Sequence, residues 1–426
     1  MKKILFISLF ILATASIAQK TIIHAGTLID GTSDKALIEM SIVVEGNKIA
    51  EVRKGYMAGS DGDRTIDMKA MTVMPGWIDM HVHIEGESSP DRYIRMFTEN
   101  TADVAYKAAE IAERTLMAGF TTVRDLGGSG VNVSLRNAIN RGLAVGPRIL
   151  TAEKALGVTG GHADPTNSYR KDLMGDPGPK EGVVNGIADA RKAVRQRYKN
   201  GADLIKITAT GGVLSVAKDG TGPHFQEDEI RAIVETARDL GYHVAAHAHG
   251  DEGMQRAVRA GVKTIEHGTY MSEETMALMI QMDTYYVPTI SAGKEVMIKA
   301  EIPGYFPAVV AAKAKVVGPQ IMDTFTKAYK KGVPIAFGTD AGVFRHGENH
   351  KEFIYMVEGG MPAMKAIQSA TSVNALVLGM KDQIGQVKKG FIADLVAVKG
   401  NPLQDIQVMG DVVMVVKGGD LVKLVD

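Results

Sequence analysis

Two pairs of histidines occur in this sequence with a single residue between the members of each pair. His81 and His83 end the run GWIDMHVHI, and His247 and His249 end the run HVAAHAHG. Side chains two residues apart on a β-strand point to the same face, so each pair presents two imidazoles together. Imidazole is a frequent metal ligand, but one isolated pair is also compatible with ordinary hydrogen-bonded histidines. Further polar residues are therefore needed to distinguish a metal site from ordinary hydrogen-bonded histidines.

Lys206 is such a residue, because it interrupts the apolar run Leu204–Ile207. A charged lysine inside a fold costs several kcal/mol unless it is paired or neutralised, whereas an outward lysine would extend its amine into water. The alternation of the run permits the inward position. Burial lowers a lysine pKa, and a neutral amine reacts with CO₂ to give a carbamate, whose two oxygens bridge two cations.

Two more strand ends carry groups of the same kind. His267 lies in TIEHGT, and Asp340 lies in GTDAG. Five strand ends thus supply, in order, a His-x-His pair, a lysine, two further histidine positions and an aspartate. Titratable groups gathered in one interior require an opposite charge, which divalent metal provides. The set predicts a metal site.

The elements that position these residues alternate regularly. From residue 75 to 381, eight apolar strand-like runs alternate with helical stretches. The strand-like runs are GWIDMHVHI, FTTVRDLG, PRILTAE, LIKITATGG, HVAAHAHG, TIEHGT, YYVPTI and PIAFGTDAG. The helical stretches include ADVAYKAAEIAERTLMAG, IADARKAVRQRYKNG, EDEIRAIVETARDLG and MQRAVRAG. This pattern predicts an α/β protein with a (β/α)₈ (TIM) barrel, whose active site lies at the carboxyl ends of the strands. A doubly wound open sheet is the alternative, but no G-x-G-x-x-G opens the first helix.

Both ends of the chain are rich in strands instead. Residues 19–74 and 382–426 contain β-branched runs punctuated by Gly, Asp and Asn, for example SIVVEGNKIAEV and VVMVVKGGDLVKLV. Strands left unpaired would expose their edges. We therefore expect the two ends to combine into one small β-sandwich domain.

The motifs together resemble the amidohydrolase superfamily, and more narrowly its imidazolonepropionase-like and Xaa-dipeptidase (prolidase-like) branch. The resemblance is carried by PGWIDMHVH, TGGHADP, KITATGGVLS, VAAHAHG, TIEHGTY and GTDAGVFRHGENHKEF. These strings extend over most of the chain and are more specific for the superfamily than for one substrate.

The resemblance implies a centre of two divalent metal ions. Its ligands would be His81, His83 and Asp340 on the more buried metal, His247 and His267 on the more exposed metal, and carbamylated Lys206 as a bridge. The chain contains no cysteine, so nitrogen and oxygen must hold the metals. Zinc is then the first expectation, with manganese or cobalt as replacements.

The resemblance also implies catalytic and substrate-binding roles. A hydroxide bridging the metals would attack an amide carbonyl, and Asp340 would act as general base and then as general acid towards the leaving nitrogen. His162 would contact the substrate carbonyl, and His249 would lie near the substrate carboxylate. Related dipeptidases carry a tyrosine at the position of His249, which leaves its contact open.

The expected activity is hydrolysis of the amide bond of a dipeptide or an N-acyl amino acid. A cyclic-amide hydrolase or deaminase of the same superfamily is an alternative, although deaminases there usually bind one metal without a bridging lysine. A metal-loaded binding protein without turnover is a second alternative. With 49 basic and 49 acidic residues and 6% aromatics, the composition gives no support for nucleic-acid binding.

The first eighteen residues predict a cleaved signal peptide. Lys2 and Lys3 precede the apolar stretch Ile4–Ala13, and Ser16 and Ala18 suit a cleavage site. This stretch is about half of the roughly 20 residues that span a bilayer, which argues against a retained anchor. We expect an exported protein, periplasmic or secreted, acting on a small molecule or short peptide. The oligomeric state, a homo-oligomer included, stays open.

Overall fold

The computed structural model describes residues 19–218 and 220–425. The predicted signal peptide, residues 1–18, lies outside the described residues. Within the described part of the chain, none of the helices combines the length and the apolar character needed to cross a membrane.

Strands from both ends of the chain form one mixed sheet. Its strands are β1 (Lys20–Leu28), β2 (Leu37–Glu45), β3 (Lys48–Lys54), β4 (Arg64–Pro75), β12 (Leu395–Lys399), β13 (Val412–Lys417) and β14 (Asp420–Leu424). They lie in the order β14-β13-β12-β4-β1-β2-β3, and only β1 and β4 pair in parallel. The prediction that the two chain ends combine is therefore confirmed.

The number of sheets differs from the prediction. Where a β-sandwich of two sheets was expected, the described residues form a single seven-stranded sheet that folds over its own core. The outer strand β3 meets the segment before β12, where the Ile49 amide donates to the Phe391 carbonyl at 2.9 Å and the Gly390 amide to the Ile49 carbonyl at 2.8 Å. Strong curvature of one sheet encloses an apolar core, shared by Ile42 and Met414, without a second sheet.

Seven parallel strands follow β4 in the chain. They are β5 (Trp77–Val82), β6 (Phe120–Asp125), β7 (Arg148–Thr151), β8 (Ile205–Thr208), β9 (Val244–Ala248), β10 (Thr264–His267) and β11 (Tyr285–Val287). Strands β5 to β7 form one sheet and β8 to β11 another. All seven coincide with predicted strand runs, and nearly every residue in them is buried.

The two parallel sheets are linked on both sides. A parallel bridge between Leu156 and Ile207 joins the segment after β7 to β8. On the other side, residues 334–341 bridge to β11 through Ile335 and to β5 through Ala341. The predicted eighth strand therefore lies between its expected neighbours, but it is irregular along most of its length.

Side chains reinforce the backbone hydrogen bonds that join this eighth segment to β5. Asn374 donates through Nδ2 to the Ile78 carbonyl at 2.7 Å and to the Phe337 carbonyl at 2.8 Å, which fastens the segment to β5. Asp79 on β5 accepts from the Thr339 amide and hydroxyl at 3.1 and 2.7 Å. Buried polar groups thus place Asp340, the next residue.

Helices surround the parallel strands. They are α1 (Arg92–Thr98), α2 (Thr101–Met117), α3 (Val131–Asn140), α4 (Lys171–Met174), α5 (Ile187–Asn200), α6 (Glu227–Asp239), α7 (Asp251–Ala260), α8 (Glu273–Gln281), α9 (Ile290–Ala300), α10 (Ala308–Lys331), α11 (Lys351–Glu358), α12 (Ala363–Gln368) and α13 (Asn374–Val377). Helix α6 buries Ile230, Ile233, Val234 and Ala237, the spacing of one helical face. The predicted helices α2, α5, α6 and α7 are confirmed.

We predict that Gly338→Ala destabilises the protein, because the eighth segment has no room for a methyl group. A Cβ at this position would lie 2.4 Å from Val287 Cγ1 and 3.1 Å from the His81 amide nitrogen. Such overpacking lowers the free energy of unfolding by about 1–3 kcal/mol. Urea denaturation followed by circular dichroism measures the change.

Gly178→Ala is the matched control, because no atom lies within 4 Å of the added Cβ. Its effect should stay within about 0.5 kcal/mol. Equal stabilities for the two variants would contradict the packing argument.

Candidate metal centre

The carboxyl ends of the parallel strands bring the predicted ligands together. Lys206 Nζ on β8 lies 3.4 Å from His81 Nε2 on β5. Asp340 Oδ1 lies 3.5 Å from the same nitrogen and 3.4 Å from His83 Nε2. Residues as far apart in sequence as 81 and 340 therefore meet in one cavity.

The histidines of β9 and β10 complete the group. The His247 and His267 ring centroids are 4.7 Å apart, and the His81 and His267 centroids are 5.0 Å apart. His249 lies 5.0 Å from His267, and His162 stacks on His247 at 4.4 Å. The structure thus brings together every residue that the sequence singled out.

The group has the chemistry of a cation site. Among the described residues, His81, His267 and Asp340 offer three ligand atoms within 4.8 Å of one another, and all three are buried. Asp340 Oδ1 is shielded from solvent and has no hydrogen-bond partner within residues 19–218 and 220–425. A buried carboxylate oxygen without a donor requires a compensating positive charge, so these residues fit a divalent metal.

Hydrogen bonds orient each imidazole by holding one ring nitrogen. Three rings are held at Nδ1, which directs Nε2 towards the cavity, and the fourth is held at Nε2. The contacts are His81 Nδ1 to Glu266 Oε2 at 2.9 Å, His83 Nδ1 to the Gly127 carbonyl at 2.9 Å, His267 Nδ1 to Thr289 Oγ1 at 2.8 Å, and His247 Nε2 to the Gly211 carbonyl at 3.0 Å. Outer partners of this kind orient metal-binding histidines.

Burial sets the protonation states in the cluster. It lowers the pKa of His83 to about 4 and holds the pKa values of His81, His247 and His267 well below the ordinary value, so these imidazoles are neutral at pH 7. Burial also lowers the pKa of the Lys206 amine to about 8. Neutral imidazole is the form that binds metal.

Burial raises the pKa of the Asp340 carboxyl to about 7, and the nearby Lys206 opposes that increase. Among the proposed ligands, the side chains of His81 and Asp340 are 1% and 11% exposed, whereas that of His83 is 39% exposed.

Left-handed backbone lets neighbouring residues face the same cavity. His267 has φ of 71° and Asp340 has φ of 58°, values that are uncommon outside glycine. The turn at His267 allows both Glu266 and His267 to reach the interior, although adjacent residues of a strand normally point to opposite faces. Such strain is concentrated at functional sites.

A buried glutamate supports the strand-end residue Thr289. Glu352 on α11 accepts from the Ile290 amide at 2.9 Å and from the Ser291 amide and hydroxyl at 2.8 and 2.6 Å. These bonds hold the start of α9, directly after the Thr289 hydroxyl that contacts His267. Burial raises the pKa of Glu352 to about 8.

The loops over the centre leave space for His162. A Cβ at Gly212 would lie 2.3 Å from His162 Cε1, so only glycine accommodates the imidazole there. His162 Nδ1 is shielded from solvent and without a hydrogen-bond partner in the described structure. A free ring nitrogen at this place is available to a ligand.

Sequence reasoning missed Glu266 and Arg124, which lie behind His81, and the four bonds that Asp79 accepts. Arg124 is a charged residue within the buried strand β6, as Lys206 is within β8. A charged side chain inside a predicted strand is the signal that could have found it. Glu266 directly precedes a predicted ligand, and strand alternation places it on the wrong face. Only the left-handed residue after it reverses that assignment.

The sequence profile of the amidohydrolase family matches residues 72–422, and the chain belongs to this family. A solved Xaa-Pro dipeptidase with methionine bound in its active site is 54% identical, with a TM-score of 0.93, over 95% of this chain and 100% of that one. A prolidase complexed with N-methylphosphonate-L-proline is 34% identical, with a TM-score of 0.86, over 96% of this chain and 100% of that one.

The ochratoxinase of Aspergillus niger is 32% identical over 97% of this chain and 88% of its own length. Imidazolonepropionase of Streptomyces griseus is also a relative. The predicted family and branch are therefore confirmed. The protein is a hydrolase that acts on carbon–nitrogen bonds.

We predict that Glu352→Gln changes how stability depends on pH. Between about pH 4.3 and 8 the unfolded chain ionises Glu352 while the folded protein keeps it protonated, so the unfolded state binds fewer protons. Wild-type stability should fall, relative to the variant, by up to about 1.4 kcal/mol per pH unit as the pH rises from 5 to 7. Urea titrations at several pH values measure this difference.

Glu113→Gln on the exposed face of α2 serves as the control, and its stability relative to wild type should not change with pH. A pH-independent difference for Glu352→Gln would show that the folded protein holds this carboxyl ionised.

Proposed function

We propose that this chain hydrolyses the amide bond of a dipeptide or an N-acyl amino acid, using two divalent metal ions held by the strand-end cluster. The supporting observation is the buried Asp340 Oδ1, which lies within 3.5 Å of His81 Nε2 and His83 Nε2 without a donor. The similarity to an Xaa-Pro dipeptidase, a prolidase and an ochratoxinase supports the substrate class.

We infer that the parallel strands and the eighth segment make up a (β/α)₈ barrel. Each has its neighbour in chain order, and the bridges at Leu156 and at Ala341 connect the sheets on both sides. The cluster lies where the carboxyl ends of the strands meet, the usual position of the active site in this fold. We take residues 19–74 and 382–426 as the second domain.

The ligand set follows from the orientation of the rings. His81, His83 and His267 would bind through Nε2 and His247 through Nδ1, because the other nitrogen of each ring is engaged. The donors are all nitrogen and oxygen, which suits zinc first and manganese or cobalt next. When bound, the metals supply a Lewis acid and lower the pKa of water.

Lys206 would join the centre as a carbamate. The residue is 3% exposed, and its amine lies 3.4 Å from His81 Nε2. Burial favours the neutral amine, the form that adds CO₂. Forming the carbamate replaces the buried cationic amine, which is unfavourable, with an anion that has two oxygens. The negative charge balances the positive charge of the metals.

Asp340 would carry the proton during the reaction. Its Oδ1 lies 3.5 Å from His81 Nε2, among the proposed ligands. From this position it would accept a proton from the attacking water and release it to the leaving nitrogen. His162, with Nδ1 unengaged, would donate to the substrate carbonyl as charge develops there. His249, beside His267, would contact the carboxylate side of the substrate.

Cyclic-amide hydrolysis remains the second candidate within the family, since imidazolonepropionase is a relative. Lys206 disfavours deamination, because deaminases of the superfamily usually bind one metal without a bridging lysine. We also propose export to the periplasm or the medium, based on Lys2, Lys3 and the apolar stretch Ile4–Ala13. A small extracellular peptide substrate suits that location.

We predict that purified protein binds about two equivalents of zinc per chain and that Lys206→Ala binds about one, because the bridge between the metals is lost. Elemental analysis after gel filtration measures the content. Lys199→Ala, an exposed lysine on α5, should retain both metals. One equivalent in the wild type, together with an active Lys206→Ala variant, would refute the two-metal centre.

We predict turnover of dipeptides or N-acyl amino acids by the zinc-loaded protein in a library assay that detects the released amino acid. Asp340→Asn should lower kcat by about 10²–10⁴-fold, since it removes the general base. Hydrolysis of cyclic imides or deamination of pyrimidines, with no cleavage of peptides or N-acyl amino acids, would replace the proposed substrate class.

A further inference from the structure

An arginine and a glutamate without solvent exposure lie directly behind His81. Arg124 on β6 donates through Nη2 to Glu266 Oε1 on β10 at 2.7 Å, and both side chains are 0% exposed. The second carboxylate oxygen, Oε2, accepts from His81 Nδ1 at 2.9 Å. One carboxylate therefore connects a buried guanidinium to the imidazole of a proposed metal ligand.

Groups on two other strands, β5 and β10, hold the guanidinium itself. Arg124 Nε donates to the Met80 carbonyl on β5 at 2.6 Å, and Nη1 donates to Thr264 Oγ1 on β10 at 3.2 Å. The Thr264 hydroxyl in turn donates to Glu266. A planar guanidinium with fixed donors leaves the carboxylate little freedom to rotate.

This arrangement determines which nitrogen of His81 carries the proton. A carboxylate only accepts hydrogen bonds, so Nδ1 must be protonated and Nε2 keeps its lone pair. Nε2 is the atom that faces Asp340 Oδ1 and Lys206 Nζ. A carboxylate behind a histidine both orients the ring and raises its basicity as a ligand.

We propose that Arg124 and Glu266 act as a pair of positioning residues that keep His81 in the Nδ1–H tautomer for metal binding. The inference rests on the proposed function, because it takes His81 as a metal ligand. The charge and the fixed donors of the Arg124 guanidinium hold the Glu266 carboxylate in place. That carboxylate in turn fixes the orientation and the tautomer of the His81 ring. Neither residue contacts the substrate.

A matched ion pair elsewhere in the chain separates this role from simple stability. Arg197 Nε lies 2.8 Å from Glu153 Oε2, and their side chains are 0% and 6% exposed. The other partners of this pair are Pro179, Lys180 and Asn200, outside the histidine cluster. Glu153→Gln thus removes a buried carboxylate of the same type without reaching His81.

The test compares zinc affinity in metal-free wild type, Glu266→Gln, Arg124→Met, the double variant and Glu153→Gln, by competition with a chromophoric chelator. Glu266→Gln and Arg124→Met should each weaken one zinc site by about 10–100-fold. The double variant should weaken it by less than the product of the two, since both act through His81. Glu153→Gln should bind zinc as the wild type does.

The ¹⁵N shifts of histidine-labelled, metal-free protein give a second readout. The wild type should show His81 protonated at Nδ1, and Glu266→Gln should shift the ring towards a mixture of tautomers. Circular dichroism verifies folding in each sample. If Arg124→Met does not fold, Arg124→Lys replaces it in the test. Lysine keeps the charge but lacks the planar guanidinium with its several donors, so Arg124→Lys should weaken zinc binding less than is expected for Arg124→Met.

Wild-type zinc affinity in both Glu266→Gln and Arg124→Met overturns the inference, as does an equal loss in Glu153→Gln. If the wild type binds two zinc ions and cleaves its substrate while these results hold, the proposed function survives and only the positioning role fails. A wild type that binds no zinc overturns both.

Discussion

Charge buried away from water is the constraint on which this centre depends. Asp340 Oδ1 accepts no hydrogen bond from the described residues, and His81 Nε2 and His83 Nε2 lie 3.5 and 3.4 Å from it. The Lys206 amine lies on the same side of His81, 3.4 Å from Nε2. Breaking up compensated buried charge costs several kcal/mol, and neutral imidazole does not provide the compensation that a divalent cation does. The surrounding contacts serve to hold these donor atoms around one point.

Regular strands alone would not bring so many side chains together at one site. Alternation sends every second residue outward, but the left-handed conformations at His267 and Asp340 break this rule at the ends of β10 and the eighth segment. Residues in this conformation cost about 1–3 kcal/mol each. Hydrogen bonds hold them: Tyr286 Oη donates to the His267 carbonyl at 2.9 Å, and the Asp340 amide donates to the His81 carbonyl at 2.7 Å.

Backbone hydrogen bonds between β5 and the eighth segment set the spacing of His81 and Asp340, and one side chain reinforces them. Asp79 accepts from the His81 amide at 3.0 Å, from the Thr339 amide and hydroxyl, and from Asn349 Nδ2 at 2.8 Å. One carboxylate therefore spans β5, the eighth segment and the loop after it. The irregular segment gains the freedom to turn Asp340 inward, and Asp79 keeps that turn in register.

The sequence by itself determined the family, the alternation of strands and helices, and the candidate ligand residues from His81 to Asp340, because these depend on local periodicity and on residue types at strand ends. Only the tertiary structure decided that the chain ends form one folded-over sheet, that the eighth strand is irregular, and that Arg124 and Glu266 lie behind His81. Those features arise from contacts between distant residues, such as the pair 142 positions apart that joins Arg124 to Glu266, and from backbone turns that cancel strand alternation.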